Sequence, residues 1–114
     1  MKISADDYCI YCEESNSTVD FQGSLLLNGA EEYAPIVQLL TGIVEQQPVL
    51  ITLDIQKLRM LNSSGFQMLS KFVMRVRQNG TIKLLIKGNS SVSWQARSLQ
   101  NLQRLMPSIE IDFG

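Results

Sequence analysis

The sequence predicts an α/β fold: one domain, a mixed sheet with an antiparallel hairpin at its N-terminal edge, and helices mainly on one face. Three observations lead there. Two short β-favouring runs separated only by a turn open the chain, which is the pattern of a hairpin. From residue 31 onward, apolar runs alternate with amphipathic stretches of helical period. The loops between them are short, so successive strands should be parallel neighbours joined by right-handed crossovers.

Each element has its own signal. Tyr8 to Glu13 and Thr18 to Gln22 are the hairpin runs, with Glu14-Ser15-Asn16-Ser17 as turn chemistry between them. Gly23 breaks the pattern, and Ser24 to Leu27 either continues the second strand or begins a bend before the Asn28-Gly29 turn. Glu31 to about Glu45 is a helix, because Ile36, Leu39, Leu40 and Ile43 share one face. Pro35 is tolerated only near a first turn, which places the regular helix nearer Tyr33. Val49 to Asp54 is apolar rather than alternating, as in a strand buried on both faces, and a loop follows it. A helix runs from Ser64 to about Gln78, with Phe66, Leu69, Val73 and Val76 on one stripe, Phe72 widening it and Met68 at its margin. Asn79-Gly80 stops it. Thr81 to Ile86 is a strand, about Ser91 to Met106 a helix, and Ile109 to Phe113 an alternating final strand. Trp94 lies off the last helix's stripe, so it is expected half-exposed or covering the sheet edge.

Of 114 residues, 45% are hydrophobic and 18% charged, enough for one core, and no linker or repeat divides residues 1–114. Net charge is −1 with no basic block, which argues against nucleic acid. No apolar run is long enough to cross a membrane. The first residues turn acidic at once, so no secretory signal is expected and the cytoplasm is the default compartment. The absence of histidine removes the commonest general base and metal ligand. Cys9 and Cys12 form a lone C-x-x-C within a strand, where positions three apart point to opposite faces. They are read as inert strand residues rather than a zinc or redox pair. No cofactor is expected, and an enzyme is the least supported class.

The most informative stretch is Asn62-Ser63-Ser64-Gly65. It presents small hydroxyl residues at the positive end of a helix, which suits either an N-cap or a phosphate. Serines at helix starts are commonplace, so on the residues alone a cap is the simpler role.

The run Leu53-Asp54-Ile55 … Leu61-Asn62-Ser63-Ser64-Gly65-Phe66-Gln67-Met68-Leu69 resembles the signature of the STAS family, the sulfate-transporter and anti-sigma-factor-antagonist domains. The likeness extends from about Val19 to Phe113. It implies a STAS-like domain without enzymatic activity, similar to stand-alone bacterial anti-sigma-factor antagonists. In those, the first serine of D-S-S-G is phosphorylated by a partner that is also a kinase and anti-sigma factor, and the phosphorylated form releases it. By position the phosphoacceptor here would be Ser63, with Ser64 as runner-up, and the partner surface would comprise Asn62, Ser63, Ser64, Gly65 and Met68. The implied partner is an anti-sigma, serine-kinase-type ATPase. Two positions depart from the pattern. Asn62 stands where the family has aspartate, keeping cap geometry but removing a charge. Leu26 stands where antagonists often carry the acid of G-x-L-D, which makes the surface more apolar. Docking at this site is thus better supported than phosphorylation of Ser63. A second implied role is an accessory subunit of a transporter or lipid-transfer complex, using the same face without phosphorylation. A third, a nucleotide sensor, lacks a glycine-rich phosphate motif.

Overall fold

A computed structural model describes residues 1–114. Six strands form one sheet in the order β1-β2-β3-β4-β5-β6. They are β1 (Lys2–Ser4), β2 (Tyr8–Glu13), β3 (Thr18–Leu25), β4 (Leu50–Leu61), β5 (Lys83–Lys87) and β6 (Glu110–Asp112). The helices α1 (Gly29–Glu45), α2 (Ser63–Asn79) and α3 (Gln95–Leu105) follow β3, β4 and β5. β1-β2-β3 is antiparallel and β3-β4-β5-β6 parallel. Each parallel strand is added on the same side of its predecessor, so three right-handed crossovers lay all three helices on one face. The expected mixed sheet with its N-terminal hairpin is what the chain forms.

The core lies between that face and the helices. Ile10, Phe21, Leu53 and Ile86 point into it from four adjacent strands, and Ile36, Leu40, Val73 and Leu99 meet them from the helices. The other face is open. Tyr11, Asp20, Asp54, Lys87 and Asp112 form one cross-sheet row there. Cys12 is buried on the core side and Cys9 half-buried on the other, as the strand period requires, and both are free thiols. Burial pushes the Cys12 thiol pKa up, which disfavours the thiolate.

Four elements differ from the sequence reading. β1 carries no strand signal in the sequence; Ile3 pairs with Ile10 and packs on the core. α1 begins at Gly29 and holds Pro35 inside it. The carbonyl that proline leaves unbonded is that of Glu31, on an exposed turn where water can satisfy it. α3 begins only at Gln95, after a turn in which the side chain of Asn89 accepts from the Ser91 amide. The residues after Asp54 are strand, not loop: β4 runs to Leu61.

That last difference has a clear cause. The β3–β4 register shifts between Asp20 and Gln22 and again between Gly23 and Ser24. Bulges of this kind break the period of two. Ile55 and Leu58 are both buried while Gln56 and Lys57 between them are exposed, so the run shows no strand alternation. Gly23 sits at the bulge with φ +92°, and a Cβ there would run into the carbonyl of Asp7. That carbonyl instead accepts from Ser24 N at 2.8 Å.

Candidate functional site

The carboxyl ends of β3 and β4 converge where α2 starts, and Asn62 ties them together. Its backbone N–H donates to Leu25 O at 3.1 Å. Its Oδ1 accepts from Gly65 N at 2.9 Å, which caps the helix. The Tyr33 hydroxyl from α1 lies 2.8 Å from that same Oδ1 and 3.1 Å from Leu25 O, and its single proton serves one of them at a time. The Asn62 amide nitrogen donates to Leu27 O at 2.7 Å. A carboxylate could not make this last bond. The amide thus holds the β3–α1 connection against the helix start.

Gly65 completes the joint. It is buried, and a Cβ there would strike the Leu61 side chain and sit 2.6 Å from the Tyr33 hydroxyl. Glycine is needed for this close approach, with its helical φ playing no part.

Around this fixed joint the exposed groups are few. Ser63 is exposed and Ser64 half-buried. As the first two helical residues, their N–H groups have no intrahelical acceptor, while Asn62 takes the third. Leu26 and Met60, 50% and 52% exposed, lie at the same ends of β3 and β4, where Leu25 pairs with Leu61 and Ser24 with Met60. This end of the sheet therefore exposes hydroxyls at the start of α2 and two apolar side chains at the ends of β3 and β4. Leu26 was legible as a departure from the family pattern; Met60 was hidden in the bulged half of β4. Met68 is only 5% exposed and belongs to the core cluster, so it offers a surface floor rather than a projecting contact. No cluster of three or more histidine, cysteine, aspartate or glutamate side chains is placed to hold a metal.

Tyr33 is 1% exposed, and burial pushes its phenol pKa above the ordinary value. The fold thus favours the neutral phenol, while the unfolded phenol ionises near pH 10. The resulting stability is complete below about pH 10 and is lost as pH rises through the raised folded pKa. Tyr33→Phe is expected to cost about 1 kcal/mol at neutral pH and to flatten the fall in stability above about pH 10, read by urea unfolding across that range. An unchanged alkaline slope would remove this role from Tyr33.

A second polar cluster supports the site from behind. β5 pairs with β4 only from Leu50 to Asp54, so the carbonyls beyond lack sheet partners on that side. Side chains replace the missing strand. Gln95, fully buried, donates to Ile55 O at 2.7 Å and Leu58 O at 3.0 Å, and accepts from Asn89 N at 2.8 Å. Trp94 Nε1 donates to Arg59 O at 2.8 Å and Asn89 Nδ2 to Gln56 O at 3.3 Å. Trp94 is half-exposed and covers the sheet edge, as its place off the helix stripe suggested.

No protein-family model matches this sequence, and no curated protein does. Solved structures do. The chain is similar to a chain in the crystal structure of the diguanylate cyclase SiaD in complex with its activator SiaC from Pseudomonas aeruginosa, at 15% identity over 98% of both chains, TM-score 0.72. It is similar to SiaC of the same organism alone, at 14% identity over 100% of this chain and 96% of that one, TM-score 0.70. It is also similar to an anti-sigma factor antagonist from Mycobacterium paratuberculosis, at 18% identity over 95% and 90%, TM-score 0.63. The fold is STAS-like.

Proposed function

We propose that this protein is a non-enzymatic signalling module that docks onto a protein partner through the apex formed by Ser63, Ser64, Leu26 and Met60. The observation that carries this is the contrast between a rigid joint and what it displays. Asn62, Gly65 and Tyr33 are committed to holding the backbone. Ser63, Leu26 and Met60 satisfy no internal need and stand in solvent. Exposed apolar side chains on a fixed backbone suit a partner that desolvates them. The solved neighbours, an anti-sigma factor antagonist and an activator in complex with its cyclase, support a role in regulating another protein.

The partner class is an anti-sigma, serine-kinase-type ATPase, in the cytoplasm. Ser63 is its phosphoacceptor and Ser64 the runner-up. A phosphate on Ser63 would add about −1.5 to −2 charge at neutral pH. It would sit at a helix start, which the fold tolerates, but within a surface that must lose water on docking. Docking remains the primary act, since Asn62 places no carboxylate beside Ser63.

Affinity purification with phosphosite mass spectrometry, comparing wild type and Ser63→Ala, identifies the partner and any phosphate. Ser63→Asp and Leu26→Asp are each expected to weaken that partner at least about tenfold, or about 1.4 kcal/mol, with the melting temperature unchanged. Full-strength binding by both variants would refute the apex as the docking surface.

A further inference from the structure

We propose that the furrow between α1 and α2 receives an acidic, amphipathic segment of the protein partner; this rests on the docking reading above and gives the partner its chemistry. Ser64, Gln67, Met68, Lys71 and Arg75 follow one another at helical spacing along α2, so the furrow starts at the apex and runs away from it. One stretch of about 350 Å³ is lined by Ala34, Val37 and Gln38 of α1 and by Ser64, Met68 and Lys71 of α2, among others. The next, about 100 Å³, shares Val37, Met68 and Lys71 and extends to Thr41, Phe72 and Arg75. The shared residues make them parts of one channel. Its floor is apolar, with Met68 and Phe72 each 5% exposed, and Val37 stands at its wall 38% exposed.

The charged side chains that line it are cationic, and the acids Glu31 and Glu32 lie only at its mouth, in the first turn of α1. Lys71 and Arg75 are exposed at the rim. α2 carries no acidic residue over its whole length, and α1 carries no charged residue between Glu32 and Glu45. The furrow is thus cationic in a chain whose net charge is −1. An apolar floor with a cationic rim is complementary to a helix whose apolar stripe is flanked by aspartate or glutamate. A basic segment would meet uncompensated repulsion, and a neutral apolar one would leave both cations partly desolvated without partners.

A display library of random peptides about 15 residues long, long enough to form a helix when bound, tests this against the immobilised full chain. Wild type is expected to enrich peptides with apolar residues at helical spacing flanked by Asp and Glu. The double variant Lys71→Glu/Arg75→Glu is expected to bind the selected acidic peptide at least about tenfold more weakly and to enrich Lys- and Arg-flanked peptides instead. The milder Lys71→Gln/Arg75→Gln pair should weaken the acidic peptide without reversing the preference. A melting curve of each variant excludes unfolding. No enrichment, enrichment blind to charge, or acidic peptides indifferent to the double reversal would overturn the proposal. Selected peptides lost with Ser63→Asp or Leu26→Asp but indifferent to the reversal would sink the furrow and leave the apex. The opposite pattern would leave the furrow and sink the apex.

Discussion

Gln95→Leu is expected to destabilise the fold by about 3–5 kcal/mol, a large part of the ~5–15 kcal/mol that holds a domain of this size together. The substitution nearly preserves volume and adds apolar surface, so packing alone would make it mild. Hydrogen bonding decides the outcome. Three bonds between 2.7 and 3.0 Å disappear together. Ile55 and Leu58 are 1% and 0% exposed, so water has little access to the carbonyls left behind. Each buried group without a partner costs about 1–3 kcal/mol. Gln95→Glu separates this cause from packing. It loses both amide donors and sets a carboxylate against two carbonyls, which raises the folded pKa of the new acid. Its remaining stability is therefore greatest below the ordinary glutamate value near 4.3 and is lost as pH rises through the raised folded value. The leucine variant should show no such dependence. Urea titrations at several pH values read both effects. A loss below about 1 kcal/mol in Gln95→Leu would mean that the β4 edge is satisfied in another way.

Asn62→Ala is the second large effect, about 3 kcal/mol, because the cap, the Tyr33 acceptor and the Leu27 donor leave together. Asn62→Asp is the sharper comparison, since it exchanges only the amide for an acid. It keeps an acceptor for Gly65 N and gains from the positive helix end, but it loses the 2.7 Å donation to Leu27 O and opposes that carbonyl with a charge. The balance predicts a loss of about 1–2 kcal/mol, between wild type and the alanine variant. An aspartate variant as stable as wild type would show that the amide donor contributes nothing, and that this position is free to carry the acid.

The two joints were unequally legible in the sequence. Asn62-Ser63-Ser64-Gly65 stood out because a cap is a local feature: its residues lie within one turn of the helix they start. The partners of Asn62 did not, because Leu27 and Tyr33 lie 35 and 29 positions away. Gln95 gave no signal at all, being one glutamine at the edge of a polar turn, and its acceptors are 37 and 40 positions distant. Met60 was obscured by the register shifts in β3 and β4, and Leu26 carries a signal only through the resemblance to STAS domains.

What the sequence determined by itself was the set of faces. Periods of two and of about 3.6 report which side chains point the same way, and they sufficed for the hairpin, the parallel order and the apolar stripes of α1 and α2, whereas on α3 Ala96 is exposed and Gln95 takes a buried place. Tertiary structure decided which distant groups meet: the amide of Asn62 with Leu27, the amide of Gln95 with the open edge of β4, and the pairing of Ser24 and Leu25 with Met60 and Leu61. The reason is physical. Amphipathic periodicity follows from local backbone geometry, whereas the partner of a buried polar group is set by strand register and helix packing, which exist only once the chain has closed on itself.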